Sequence, residues 1–308
     1  MIDGDVLIRV EMQVLLYFAI GMILKKIRLA GPQEDQFLSE LLMGLILPMN
    51  VFVAFYQPAY ADELAAGGLL ILAGSLVVVI VLLIARLLPK RIPPGKKRIA
   101  EYCMLISNGS LIGIPLIEAL CGAAGVFYAN IFMTPTRILS NVAGQSFFDV
   151  ENQESGWRAG LKCSLTNPLI LGMAAGFLLN QLHIPLPVPV MNVCSGLADC
   201  MSPLALILVG STLYDAFSQV TLTHMFSLPI FLISLFRLLA APCLTFLACV
   251  ALGLDGTQRI AAVLVNATPV ASTAVIFCQK YHGDIRFTST CVFISTILSF
   301  ITLWLVRF

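Results

Sequence analysis

Charged side chains are scarce in this chain. Asp, Glu, Lys and Arg make up 11% of its 308 residues, whereas soluble domains carry roughly 25%. Hydrophobic residues make up 59%, above the roughly 45–50% of soluble domains. The formal net charge is only +1, so the chain has no field suited to nucleic acid or an acidic partner. These values indicate a membrane protein whose main solvent is the lipid bilayer.

The motifs of catalytic, phosphate and metal sites are also missing. None of the nine cysteines forms a CxxC pair, and neither an HExxH motif nor a Gly-rich phosphate loop occurs. No nucleophile–base pair or paired carboxylates can be identified within the apolar segments. No segment is typical of the ring-forming filter of a channel. The sequence therefore predicts no enzyme activity, no cofactor and no metal site.

Long apolar runs dominate what is present. A hydrocarbon core of about 30 Å requires roughly 20 apolar residues as a helix, because only helices and closed barrels satisfy every backbone group there. Strand-type alternation is absent, which excludes a barrel. The sequence predicts an all-α integral membrane protein with ten transmembrane helices, at 7–25, 38–57, 66–88, 99–121, 124–148, 163–182, 191–214, 226–252, 258–279 and 287–306.

Basic residues predict the orientation of these spans. Thirteen lie in or beside the odd-numbered connections: Lys25, Lys26, Arg28, Arg86, Lys90, Arg91, Lys96, Lys97, Arg98, Arg158, Lys162, Lys280 and Arg286. Three lie on the opposite side: Arg9, Arg259 and Arg307. Even-numbered connections carry acids such as Asp62, Glu63 and Asp255. We therefore expect a multi-pass protein of the cell (plasma) membrane, with the odd connections cytoplasmic and both termini extracytoplasmic.

An internal repeat is suggested at an offset of 155 residues. This shift aligns 19–24 with 174–179, and Pro48 of span two with Pro203 of span seven. A unit of five spans re-enters the membrane from the other side, so two such units would be inverted repeats. Inverted repeats are typical of secondary transporters.

Spans four and nine occupy the same place in each half, and both contain helix breakers. Span four reads SNGSLIGIPL over 107–116, and span nine reads VNATPVAST over 265–273. Proline and glycine disfavour helix, and unwound backbone in a membrane is tolerated only where it lines a cavity. The half-helix N-termini at such breaks attract anions. A plain proline kink is the simpler alternative, but a matched pair flanked by Asn, Ser and Thr favours a binding site.

Three blocks of sequence resemble the bacterial branch of the auxin efflux carrier family, which includes the plant PIN-type carriers. They are SNGSLIGIPLIEALCGAAGVFYANIF, SPLALILVGSTLYDA and NATPVASTAVIFCQKYHGD, and the resemblance extends along essentially the whole chain. The family is similar in fold to bile-acid/sodium symporters, and its members carry organic acids. The hydrophilic loop of the long plant carriers is missing here. Asn108 lies seven residues before its proline but Asn266 only three, so the two half-sites differ chemically.

The resemblance implies a domain division. A scaffold would come from the spans within 1–57 and 163–214, and a transport domain from those within 66–148 and 226–308. It also implies that spans four and nine cross at Pro115 and Pro269, and that the protein is a homodimer. The predicted substrate-binding residues are Asn108, Gly113, Pro115, Arg137, Asn141, Asn266, Thr268 and Pro269.

Charged residues within the membrane are costly and are functional candidates by default. Arg137 could bind a substrate carboxylate with both arms of its guanidinium. Arg237 is a candidate for coupling, although helix-end carbonyls could equally satisfy it. Asp199, one turn before Pro203, is a second coupling candidate, because a shielded carboxylate there could bind a proton in each cycle. Glu118 lies near the end of span four, where we expect a solvated rim position.

The sequence therefore predicts a secondary active transporter that moves a small organic anion by alternating access, with H⁺ or Na⁺ as the coupling ion. A sodium-coupled symporter of the bile-acid type is one alternative. A membrane sensor or receptor on the same fold is another, because it needs only the binding half of the mechanism. Flux through liposomes separates a carrier from a sensor.

Overall fold

The computed structural model describes residues 4–57, 64–87, 94–144, 147–148, 162, 164–219, 227–281 and 283–303. Within these ranges the chain is helical and contains no strand. Its helices are α1 Gly4–Lys26, α2 Pro32–Phe55, α3 Leu64–Arg86, α4 Pro94–Leu105, α5 Gly109–Ala143, α6 Pro168–Gln181, α7 Val188–Asp199, α8 Met201–Gln219, α9 Leu228–Ala251, α10 Gly256–Asn266, α11 Thr273–Lys280 and α12 Ile285–Thr302.

Helix α5 is a hairpin of two helical parts. Gly122 has a left-handed φ of 61°, which glycine adopts without a steric penalty, and it separates 109–121 from 123–143. In a straight helix Ser110 and Arg137 would be about 40 Å apart. Instead Nη2 of Arg137 donates to Oγ of Ser110 at 3.3 Å. The two parts therefore run side by side, as predicted spans four and five require.

Six helical segments in the described ranges are long and apolar enough to cross a membrane. They are Pro32–Phe55, Ala66–Arg86, Gly109–Ala143 with its turn at Gly122, Val188–Ser218, which joins α7 and α8, Leu228–Ala251 and Ile285–Thr302. The remaining helices fall short for identifiable reasons. The charged residues Arg9, Glu11, Lys25 and Lys26 lie on α1, and α6 has only 14 residues. Breaks shorten α4, α10 and α11. The all-helical membrane architecture is thus confirmed, whereas ten crossings and the inverted repeat stay predictions.

One set of helices packs closely through glycines. Helix α1 lies along α8, and α2 lies along α6 and α7. A Cβ atom at Gly21 of α1 would overlap the carbonyl oxygen of Ile207 in α8. One at Gly176 of α6 would lie 2.5 Å from the carbonyl oxygen of Phe52 in α2. Small residues allow helix backbones to approach this closely, as they do in membrane proteins generally.

The second set packs around α5. Helices α3 and α10 lie along α5, and α9 contacts both α10 and α12. The core of this set includes the fully buried residues Ile114, Val263, Val265 and Cys291. The two sets meet where α5 contacts α1, α2 and α8, and where α12 contacts α8. The first part of α5 therefore lies at the boundary between the sets.

Span seven contains a break that the sequence did not predict. Helix α7 ends at Asp199, Cys200 has turn geometry, and α8 begins at Met201. A π-helical turn, Leu42–Ile46, interrupts α2.

Several residues used to predict orientation lie outside the described residues: Asp62, Glu63, Lys90, Arg91, Arg158 and Arg307.

Candidate functional site: the crossing of two broken helices

The two predicted breaks meet and pair through their backbones. The N–H of Asn108 donates to the carbonyl of Pro269 at 2.8 Å, and that of Ala271 donates to the carbonyl of Ile106 at 3.1 Å. These bonds form a short antiparallel bridge between Ser107 and Val270. Unwound backbone thereby satisfies itself across the crossing instead of facing lipid, as the membrane interior requires.

Side chains reinforce this bridge. Nδ2 of Asn108 donates to Oγ of Ser272 at 3.0 Å, across the crossing. Oγ of Ser295, on α12, accepts from the N–H of Val270 at 3.1 Å. Asn108 is 5% exposed and Thr268 is fully buried. The crossing is therefore a protein-lined polar site within an apolar core.

A glycine allows the close approach of the two breaks. A Cβ atom at Gly113 would lie 3.0 Å from Cγ2 of Val265 and 3.2 Å from Cγ2 of Thr268. Pro115 follows at the start of the regular part of α5, where its missing N–H costs no helical bond. Gly113 thus lies against Thr268, whereas the backbones pair at Asn108 and Pro269 and not at Pro115, where the resemblance implied the crossing.

Arg237 satisfies the C-terminal ends of both half-helices. It lies in the π-helical turn of α9 and is 1% exposed. Its guanidinium donates to the carbonyls of Asn266 at 2.6 Å, Thr268 at 3.3 Å and Met104 at 3.3 Å, and to Oδ1 of Asn266. These acceptors lie at the end of α4 (Met104), at the end of α10 (Asn266) and in the second break (Thr268). This geometry matches the alternative of helix-end satisfaction, and the coupling role of Arg237 stays a prediction.

The N-terminal ends of the half-helices are only partly satisfied, by backbone bonds such as those from the N–H groups of Ala274 and Val275 to the carbonyls of Ala271 and Ser272, both at 3.1 Å. No side chain caps the helix that starts after Asn108, nor the one that starts after Ser272. Unsatisfied N–H groups at such ends carry partial positive charge. Arg137 lies beside the first of these ends through its bond to Ser110. Its Nη1 atom is buried and has no hydrogen-bond partner within the described part of the chain.

Two predicted asparagines are not at the centre of the crossing. Asn266 turns towards α9, where its Nδ2 donates to Oγ1 of Thr245 at 2.6 Å. Asn141 is half-buried on α5, one turn beyond Arg137 and on the same helix face. The two asparagines, which the sequence predicted to be chemically different, therefore differ in the direction of their side chains. The side chain of Asn108 faces the opposite break, and that of Asn266 faces α9.

A cavity with several polar groups lies beside Pro115, between the first part of α5 and helices α1, α7 and α8. It has a volume of about 300 Å³, and its lining includes Gln13, Tyr17, Pro115, Glu118, Asp199 and Ser202. The expected shielding of Asp199 is wrong, because its side chain is exposed where α7 ends. The expected solvated rim position of Glu118 stays a prediction. Glu118 is half-buried and accepts from Nδ2 of Asn50 at 3.0 Å and from Oγ of Ser202 at 2.5 Å.

Comparison with known proteins decides the family. Residues 7–154 and 158–307 match the family described as membrane transport protein. The chain belongs to this family. The membership confirms the resemblance to auxin efflux carriers, and it makes the chain a multi-pass membrane transporter. The family is a transporter family and not an enzyme family.

This membrane transport protein also resembles a transporter from Methanothermobacter thermautotrophicus whose function is uncharacterized. The two chains are 24% identical over 297 residues, which cover 95% of this chain and 94% of the relative. The similarity therefore extends over both sets of helices and includes both breaks.

Sequence reasoning missed three polar residues of the transporter's site. Ser110, Ser272 and Ser295 contact Arg137, Asn108 and the backbone of Val270, respectively. Ser110 and Ser272 lie inside the two broken blocks, so their position beside the breaks was a usable signal. Ser295 lies on α12, outside both broken blocks, so only the packing of α12 against the crossing shows that Ser295 belongs to the candidate site.

Proposed function

We propose that this membrane transport protein is a secondary active transporter that moves a small organic anion by alternating access. The substrate's carboxylate would bind at the crossing of the two broken helices. Asn108, Thr268 and neighbouring N–H groups would contact it, and Arg137 would provide positive charge. The observation that carries the proposal is a difference between the helix ends at the crossing: Arg237 binds the C-terminal ends, whereas no side chain caps the N-terminal ends.

The C-terminal ends of the half-helices are contacted by a cationic side chain, whereas their N-terminal ends have backbone bonds but no side-chain cap. Arg237 binds carbonyls at the C-terminal ends of α4 and α10. The N-terminal ends after Asn108 and Ser272 have no side-chain cap. Buried N–H groups without partners cost free energy. An anion that accepts from them would remove this cost, whereas a cation would be repelled by the same dipole ends.

Alternating access is supported by a symmetry in the glycine contacts. Adding 155 to Gly21 gives Gly176, and adding 155 to Phe52 gives Ile207. The contact of Gly21 with Ile207 is therefore the counterpart of the contact of Gly176 with Phe52. The offset is the one that the sequence suggested for the repeat. Two inverted repeats can exchange their conformations, which gives one state open to each side of the membrane.

The packing also supports two moving units. Helices α1, α2, α6, α7 and α8 would form the scaffold, and α3, α4, α5, α9, α10, α11 and α12 the transport domain that carries the crossing. We further propose a location in the plasma membrane, extracytoplasmic termini and a homodimer, which rest on charge asymmetry and family resemblance.

Uptake by proteoliposomes tests the proposal. Purified protein would be screened for thermal stabilisation by mono- and dicarboxylates, and the stabilising compounds would be tested for exchange across the vesicle membrane. Carboxylate exchange above that of protein-free vesicles is expected. Stabilisation without exchange would indicate a sensor, and exchange that requires sodium would favour a symporter of the bile-acid type.

Substitutions at the crossing test the binding site. A hydrogen bond to a charged group contributes about 1.5–3 kcal/mol, so Asn108→Ala should weaken carboxylate binding roughly 10- to 150-fold. Arg137→Lys should weaken binding less than Arg137→Ala if charge is the main contribution. Asn192→Ala and Arg286→Ala, at exposed positions on α7 and α12, are matched controls. Unchanged affinity in folded Asn108→Ala and Arg137→Ala proteins would place the ligand elsewhere.

A further inference from the structure

Glu118 is the carboxylate by which the crossing contacts the other set of helices. It lies one turn after Pro115 on the first part of α5. Its Oε1 accepts from Nδ2 of Asn50 on α2, and its Oε2 accepts from Oγ of Ser202 on α8. Both donors lie beside the prolines at 48 and 203 that the 155-residue offset aligns. Glu118 therefore bonds to both halves of the proposed scaffold.

The surroundings of Glu118 contain no described cation. The titratable groups that face this part of α5 are Tyr17 and Glu11 on α1 and Asp199 on α7. Glu11 lies at a separate small cavity lined by Ile112 and Leu116. The salt bridges within the described residues do not include Glu118. The ionised carboxylate of Glu118 is therefore stabilised by two neutral donors, Asn50 and Ser202, and by no cation within the described residues.

We propose that Glu118 is a proton-binding site and that its protonation releases α5 from α2 and α8. This inference rests on the proposed transport function, because the release matters only if the two sets of helices move. The ligand is a proton, which bonds to a carboxylate oxygen of Glu118 and comes from water in the cavity of about 300 Å³. The lining residues Gln13 and Asp199 are exposed, so protein does not close the cavity on that side.

The two partners are suited to the ionised state of Glu118. The ionised carboxylate is an acceptor only, and it is bonded by the amide of Asn50 and the hydroxyl of Ser202. A protonated carboxyl group becomes a donor and loses acceptor strength. Both of these bonds therefore weaken when Glu118 binds a proton. An arginine or lysine in either place would instead hold Glu118 ionised.

Movement of α5 explains why the proton would be needed. If the two sets of helices separate, Glu118 loses both donors at once. An ionised carboxylate without partners is costly to leave in an apolar interface, and the neutral acid is much less so. Protonation thus favours separation, and deprotonation favours the packed arrangement of this structure.

Infrared difference spectroscopy tests proton binding without any substrate. Spectra of lipid-reconstituted protein at acid and alkaline pH would show the carbonyl stretch of carboxyl groups that gain a proton. One such band should be absent from Glu118→Gln and present in Asp199→Asn. An identical set of bands in wild type and Glu118→Gln would overturn the proposal, whether or not a transported substrate is known.

Carboxylate exchange as a function of pH tests the consequence. Wild-type exchange should increase towards acid pH, and exchange by Glu118→Gln should be independent of pH. If pH dependence persists in Glu118→Gln and is lost in Asp199→Asn, the proton site is Asp199 and the proposal fails. Absence of exchange at every pH, with the infrared band lost in Glu118→Gln, would refute the transport function and leave proton binding intact.

Ser202→Ala provides a second test that does not depend on the folding of Glu118→Gln. Removing this donor weakens only the ionised form, so Glu118 should gain its proton at higher pH. The infrared band and the exchange activity should both respond at a higher pH than in wild type. Unchanged midpoints of these responses would overturn the proposal. Ser75→Ala is the matched control, because the hydroxyl of Ser75 bonds only its own helix at Ile71.

Discussion

Replacing Arg237 by methionine should destabilise the crossing severely. Methionine fills much of the same space but donates no hydrogen bond. The carbonyls of Asn266, Thr268 and Met104 would each lose a charged donor, at present distances of 2.6, 3.3 and 3.3 Å. A buried acceptor left unsatisfied costs about 1–3 kcal/mol, and the two longer bonds are the weaker ones. We therefore expect a loss of about 3–5 kcal/mol, the range for breaking a buried charged pair.

Thermal unfolding of the purified protein measures this effect. Arg237→Lys keeps the charge but not the planar fork, so its midpoint of unfolding should lie between those of wild type and Arg237→Met. Arg286→Met, at an exposed position of α12, controls for loss of an arginine and should leave the midpoint unchanged. If Arg237→Met unfolds like wild type yet loses ion coupling, the capping argument is refuted and the coupling role is favoured.

Two further predictions concern packing and topology. Gly21→Ala should lower the midpoint of thermal unfolding, because the added methyl group would overlap the carbonyl of Ile207; Gly68→Ala, with no neighbour within 4 Å, should be neutral or slightly stabilising. Equal midpoints would contradict the close approach of α1 and α8. In a background without reactive native cysteines, Lys96→Cys should react only with cytoplasmic reagent and Ala61→Cys only with external reagent. The reverse labelling would overturn the predicted orientation.

The sequence was sufficient to predict that two helices break and that the breaks meet. Proline, glycine and asparagine act locally, so Asn108–Pro115 and Asn266–Pro269 reveal where helix fails without knowledge of any partner. The meeting of the breaks was implied by the family resemblance, although the structure places the contact of the first break at Asn108 and not at Pro115. The hydrogen bond of Asn108 with Pro269 confirms that the breaks meet.

The direction of individual side chains was not predictable in the same way. The rotation of a helix about its axis is set by neighbours that are distant in sequence. Asn266 turns to α9 because Thr245 and Arg237 offer it bonds there. Glu118 was assigned to a solvated rim by counting residues from the end of its span, which gives depth but not contacts. Its partners Asn50 and Ser202 come from helices 68 and 84 residues away.

The backbone bridge at the crossing also has a consequence for biosynthesis. Asn108 and Pro269 are separated by 161 residues, which takes about 8–30 s to synthesise at 5–20 residues per second. During that interval the N–H of Asn108 and the carbonyl of Ile106 lack the partners that they have in the finished protein. Unpaired backbone groups are not tolerated in lipid. The first break must therefore wait in a hydrated environment, such as an insertion channel, until the second break arrives, and a nascent chain that stops before α10 should be a substrate for membrane proteases.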